Sequence, residues 1–276
     1  MEKVVNNQMV SQSAVTMMLI QMLICLALPI GLAVWVIKRQ SHPKKGATKI
    51  FFIGMGIFFL FAGVLEGTFR AIARQFQHTP WAYALYGALL AGVFEEVGRF
   101  LGFKFIQKRI PDKINDPETP FLYGLGHGGL EMILVGSMTV LSNYLFAMLI
   151  NSGSIEKVLS QTPASSRSAI TAVVKQLTGM SAWTVSLSLL ERIMALAVQI
   201  ALSVVVWLLI VKRKQWFWLL VPIGLHAFID FPAALAQVGA LSLTVEEFIL
   251  VGQSVLIVGL VYWLWQRTMR NRQVSD

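Results

Sequence analysis

Cysteine and charge are both scarce in this chain. Its one cysteine, Cys25, lies inside an apolar run. An intrachain disulfide is therefore excluded, and so is a thiolate metal site. Charged residues make up 13% of the 276 positions, against 56% hydrophobic. A soluble domain carries about 25% charged residues. No stretch between apolar runs is long enough to fold as a separate soluble domain. The H-E-x-x-H motif of zinc peptidases is missing, and there is no internal repeat or low-complexity tract.

What the chain has instead is a series of apolar segments of about 20 residues or more, each long enough to span a bilayer. They run near 16–37, 50–73, 81–105, 121–150, 182–211, 215–236 and 245–266. The expected fold is an all-α, polytopic transmembrane helix bundle of about seven spans, forming a single integral membrane domain over 1–276. The first run has no small-residue cleavage pattern after it and leads directly into Lys38 and Arg39, so it reads as a retained helix. Trp81, Trp183, Trp216 and Trp218 fall at the expected helix ends, where aromatic belts form. Segment 151–181, rich in Ser and Thr, is either an amphipathic helix on the membrane surface or a plain loop.

The formal net charge is +9. The basic residues sit in short segments between apolar runs, as they do where they set topology, so nucleic acid is not the expected partner. Lys38, Arg39, Lys44, Lys45 and Lys49 fall on one side. Lys104, Lys108, Arg109 and Lys113, then Lys212, Arg213 and Lys214, then Arg267, Arg270 and Arg272 return to it. The opposite side holds the sparser Lys3, Arg70, Arg74, Lys157, Arg167 and Lys175. This bias alternates through every loop and predicts the N-terminus outside and the C-terminus cytoplasmic. The expected setting is a cell membrane, most simply a bacterial cytoplasmic one, with lipid as the first partner.

Polar residues inside the spans carry the functional signal. Glu66, Glu95, Glu96, Glu131, Glu191 and Asp230 lie in apolar segments, together with His127 and His226. A charge at the bilayer centre costs on the order of 3 kcal/mol, so such residues face a polar interior and serve a purpose. At 1.5 Å per residue, Glu95 lies roughly 14 Å from the boundary at Lys104, His127 roughly 10 Å beyond Pro120, and His226 roughly 16 Å beyond Gln215. Three helices thus bring acids and imidazoles to one layer. His127 and Glu131 share a helix face at i and i+4, as do His226 and Asp230. Glu95 and Glu96 point about 100° apart. One can face a cavity while the other pairs with Arg99 in the same helix. Gly124, Gly126, Gly128 and Gly129 surround His127, and small residues let membrane helices approach closely. Glu191, Arg192, Glu66 and Arg70 sit nearer the outer surface, where cross-helix pairing would neutralise them.

Peptide hydrolysis needs an activated water, a proton donor for the leaving amine and stabilisation of an oxyanion. Glu and His cover the first two, and a second imidazole or a metal covers the third. Catalytic zinc takes three protein ligands and a water. His127, His226 and one carboxylate such as Glu131 offer such a set.

Glu95-Glu96-Val97-Gly98-Arg99, Gly126-His127-Gly128-Gly129-Leu130-Glu131 and His226-Ala227-Phe228-Ile229-Asp230 resemble the motifs of the YhfC family of intramembrane metalloproteases. That family is related to the group containing CAAX prenyl proteases, bacteriocin-processing proteins and the PrsW protease. The resemblance covers most of the chain. It implies a membrane peptidase with Glu95, Glu96, Arg99, His127, Glu131, His226 and Asp230 as the catalytic positions, and zinc as the cofactor the family name suggests. Glu191-Arg192 also looks like a family feature, commonly followed by a histidine where this chain has Gln199. In the related CAAX proteases a Glu- and His-based mechanism without direct metal catalysis is the leading idea, so both remain open. The expected function is hydrolysis of a membrane-associated peptide or protein near the cytoplasmic half of the bilayer. A proton-coupled transporter and a non-catalytic scaffold of the same fold are the alternatives, since buried acids and histidines also form ion relays.

Overall fold

The computed structural model describes residues 9–39, 46–76 and 78–273. Lys3, Lys44 and Lys45 of the charge pattern lie outside the described residues. Within them the chain is helical from end to end. The α-helices are α1 (Gln12–Arg39), α2 (Ala47–Phe58), α3 (Gly67–Ala73), α4 (Pro80–Arg109), α5 (Pro111–Ile114), α6 (Thr119–Glu131), α7 (Thr139–Asn151), α8 (Ile155–Gln161), α9 (Ala164–Thr178), α10 (Ala182–Val211), α11 (Leu220–Gln237) and α12 (Leu243–Gln273). π-helical turns at Phe59–Glu66 and Met132–Met138 join α2 to α3 and α6 to α7. The second and fourth expected spans are therefore each a single helical rod carrying a wider turn partway along.

Six of these rods are long and apolar enough to cross a membrane: Gln12–Arg39, Ala47–Ile72, Thr119–Asn151, Ala182–Val211, Trp216–Gln237 and Leu243–Asn271. The remaining long helix, α4, has 30 residues. It coincides with the expected third span but holds Glu95, Glu96 and Arg99 at its middle, which lowers its apolar character where the others are most apolar. Large apolar side chains lie exposed along the rods, among them Leu23, Phe52, Leu101, Leu145, Leu256 and Trp263. A water-facing protein does not tolerate this much apolar surface, whereas lipid is its natural solvent. Trp81, Trp183 and Trp216 are exposed at helix starts. Segment 151–181 is not a plain loop: it folds as α8 and α9, with Ile155, Val174 and Leu177 buried.

The chain divides into two compact units, and the divisions fall inside α1, at the end of α6 and inside α10. The first comprises Met1–Ala27 and Met132–Arg192. Its core holds Val15, Met18, Val140, Ala147, Ile150, Val174, Leu177 and Val185. Asn151 closes it by pairing with the Val10 backbone, accepting from Val10 N at 2.8 Å and donating to Val10 O at 3.0 Å. Cys25 is buried against Gly136.

The second unit, Leu28–Glu131 with Ile193–Asp276, contains every candidate site residue of α4, α6 and α11. Its core includes Ile50, Phe103, Ile106, Leu122, Tyr123, Leu202, Val206 and Trp207. The buried Trp207 indole donates to Ile114 O at 2.6 Å, so its polar edge is satisfied. Here α4 packs along α11, and α2 along α6. Glycine makes both approaches possible. A Cβ on Gly126 would collide with Phe51 O of α2, one on Gly54 with Tyr123 O, and one on Gly92 would lie 2.8 Å from Ile223 O. On α6 the Gly124 and Gly128 positions face α10, where a Cβ would sit 2.7 Å from Ile200 Cα and 2.5 Å from Gln199 Cβ. The glycines around His127 are thus packing positions that draw α2 and α10 onto α6.

Candidate active site

The site grows from the middle of α4. Adjacent positions on a helix point about 100° apart, so Glu95 and Glu96 face different neighbours. Glu95 turns toward α6 and α10. Its Oε2 lies 3.0 Å from His127 Nε2 and accepts from Gln199 Nε2 at 3.0 Å. Glu96 turns toward α11, where its Oε1 meets His226 Nδ1 at 2.7 Å. Its other oxygen pairs with Arg99 Nε one turn along α4, at 3.0 Å. Glu95, Glu96, Arg99, His127 and His226 are all buried.

Arg99 is engaged through all three of its nitrogens. Beyond Glu96, its Nη1 donates to Gln199 O at 2.7 Å and to Ser203 Oγ at 2.6 Å, and its Nη2 donates to Gln199 Oε1. A buried guanidinium is tolerated only when its donors are matched in this way. Gln199 also donates to Glu131 Oε2 at 2.7 Å. Glu131 thus shares a face of α6 with His127 and is tied to α10 through Gln199.

His127 packs edge-on against Phe58, with ring centroids 5.1 Å apart, and lies beside Tyr123. Its Nδ1 is buried without a hydrogen-bond partner among the described residues. An N–H there would be an unsatisfied donor, so the proton belongs on Nε2, pointing at Glu95. His226 has the opposite arrangement. Its Nδ1 is held by Glu96, while Nε2 faces Glu95 Oε2 at 3.9 Å and Asp230 Oδ2 at 3.4 Å. Asp230 is the accessible member of the cluster, with its side chain 40% exposed.

All seven sequence-predicted positions thus fall in one connected set on α4, α6 and α11. Gln199 and Ser203 of α10 complete it. Both were legible as polar residues four apart in an otherwise apolar helix, a spacing that puts them on one face. Among the outer charges, Arg70 pairs with Glu66 in its own rod and Arg192 with its neighbour Glu191, so each acid has a local partner. Residues four apart in an α-helix are already adjacent in space, and no second helix is needed. Glu66 is 1% exposed, and it lies within electrostatic range of Glu95 and His226.

The expected metal donors His127, His226 and Glu131 are not gathered as a ligand set. Among the described residues no group of three His, Cys, Asp or Glu side chains is placed to hold an ion. Each expected donor is engaged by another side chain: His127 by Glu95, His226 by Glu96 and Glu131 by Gln199. As arranged, these side chains do not form a closed ligand set.

Fold and site together define an integral, multi-pass, all-helical membrane protein with a polar cluster of carboxylates, imidazoles and one guanidinium that is buried except at Glu131 and Asp230. The chain belongs to the YhfC family: residues 24–250 match the family model described as YhfC intramembrane metalloprotease. It is 39% identical over 266 residues to the membrane protein YhfC of Bacillus subtilis (strain 168), covering 93% of this chain and 97% of that protein. A bacterial cytoplasmic membrane is consistent with that relative. No solved structure matches the chain.

Proposed function

We propose that the protein is an intramembrane peptidase that hydrolyses a peptide bond of a membrane-associated substrate. The observation that carries this reading is the buried Glu95–His127 hydrogen bond set beside a second imidazole, His226, whose orientation is fixed by Glu96 and Arg99. Glu95 Oε2 and His226 Nε2 face each other at 3.9 Å, a separation that one water oxygen bridges. Glu95 takes the proton of that water as it attacks the scissile carbonyl, and His127 steadies the carboxylate. With both nitrogens protonated, His226 offers Nε2–H to the developing oxyanion and gives that proton to the leaving amine, and the proton taken by Glu95 then returns to His226 Nε2. Glu96 and Arg99 position His226 without touching substrate, and Asp230 lines the exposed edge.

With α4 counted as a seventh span, the basic-residue bias supports an N-terminus outside and a site in the cytoplasmic half of the bilayer. Zinc assistance is the second reading. What favours it is the Glu96–His226 bond, since metal-binding imidazoles give their other nitrogen to a carboxylate. The test is hydrolysis of fluorogenic or lipidated peptides by purified protein in liposomes. Turnover by wild type that is lost in Glu95→Gln supports the proposal. Ion or solute flux across the liposome with no cleavage would replace it with a carrier.

A further inference from the structure

Gln199 occupies the centre of the cluster, and its chemistry is constrained from every side. Arg99 has donors only, so the Gln199 oxygen must face Arg99 Nη2. That fixes the amide against a flip and leaves Nε2 with two hydrogens. Glu95 Oε2 and Glu131 Oε2 lie 3.0 and 2.7 Å from that nitrogen, and each takes one hydrogen. The position therefore demands one acceptor and two donors on a short planar group. A neutral imidazole supplies one of each, an imidazolium two donors and no acceptor, and a carboxylate no donor. Only a primary amide satisfies all three partners, and glutamine has the reach. The backbone supports it too: α6 passes so close that a Cβ on Gly128 would sit 2.5 Å from Gln199 Cβ.

The geometry points to Gln199 as the positioning residue of the site: its amide bridges Arg99 to Glu95 and Glu131 and holds the Glu95 carboxylate at its angle to His127 and His226. The catalytic half of this statement rests on the peptidase reading; the bridge itself does not. Gln199 does not touch the reacting atoms, and it acts through Glu95.

Two measurements test it on full-length protein. The first needs no turnover. Thermal unfolding in detergent is followed for wild type, Gln199→Met, Glu131→Met and the double variant. The bridge predicts a double variant clearly more stable than the sum of the single losses, because each single change already breaks the same bond. Additive losses overturn the bridge. The second is steady-state hydrolysis in liposomes. Gln199→Met lowers kcat by about 10- to 100-fold with KM within about twofold. Gln199→Glu, which sets a third carboxylate against two others, lowers it further although it is nearly isosteric. A Gln199→Met protein that folds and keeps its kcat within about twofold overturns the positioning role. If wild type cleaves nothing while the stability cycle shows coupling, the peptidase reading fails and the bridge stands.

Discussion

Replacing Arg99 by methionine keeps most of the side-chain volume and removes the guanidinium. In the native protein that group is fully buried and meets the Glu96 carboxylate, the Gln199 backbone carbonyl, the Gln199 amide oxygen and the Ser203 hydroxyl. The substitution leaves a buried carboxylate and three acceptors without their donor. Breaking a buried ion pair from one side costs about 3–5 kcal/mol, because the remaining charge is stranded. For a chain of this size that corresponds to a fall in unfolding midpoint on the order of 10 °C. The eight tryptophans provide an intrinsic fluorescence signal for thermal unfolding in detergent. The control is the pair Arg99→Met with Glu96→Gln, which removes the stranded charge and recovers part of the loss. A midpoint for Arg99→Met within about 2 °C of wild type, or a double variant as unstable as the sum of the singles, would refute the account of a buried guanidinium that stabilises the cluster.

Glu95→Gln preserves shape and leaves the protein folded, and it lowers turnover by about 10²- to 10⁴-fold, as expected for loss of a general base; peptide hydrolysis in liposomes measures this. Gly126→Val drives a side chain into Phe51 O and is expected to lower the thermal midpoint sharply, whereas Gly224→Val, at a position with open space around its Cβ, has little effect. Cys25 is buried, so maleimide labelling is slow in folded protein and fast after unfolding in detergent; rapid labelling of the native form would contradict its place in the first unit. Prolonged chelation leaves hydrolysis within about twofold if Glu95 and the imidazoles suffice, while loss reversed by added zinc selects the zinc-assisted form.

The helices were legible in the sequence because an apolar run of about 20 residues has few folded alternatives. The i, i+4 spacing of His127 with Glu131 on α6 and of His226 with Asp230 on α11 followed from helix geometry alone. What a single sequence withholds is the rotation of one helix against the next. That Glu96 rather than Glu95 takes Arg99 depends on which way α4 turns toward α11. That Glu131 binds Gln199 depends on how closely α10 comes to Gly128. The π turns at Phe59–Glu66 and Met132–Met138 left no trace in hydropathy, since a wider turn needs no change of composition. The local pairing of Glu66 with Arg70 was available from their spacing, though the approach of Glu66 to the electrostatic field of Glu95 was not.

The bare-backbone approach of Gly126 to Phe51 has a consequence for how this protein can change over time. Beside His127 the two helices leave no room for a side chain at that position, so substitutions there have almost nothing to adjust. Change compatible with this packing must then fall on the accessible flank marked by Asp230, leaving the imidazole at Gly126–Gly128 as a fixed point.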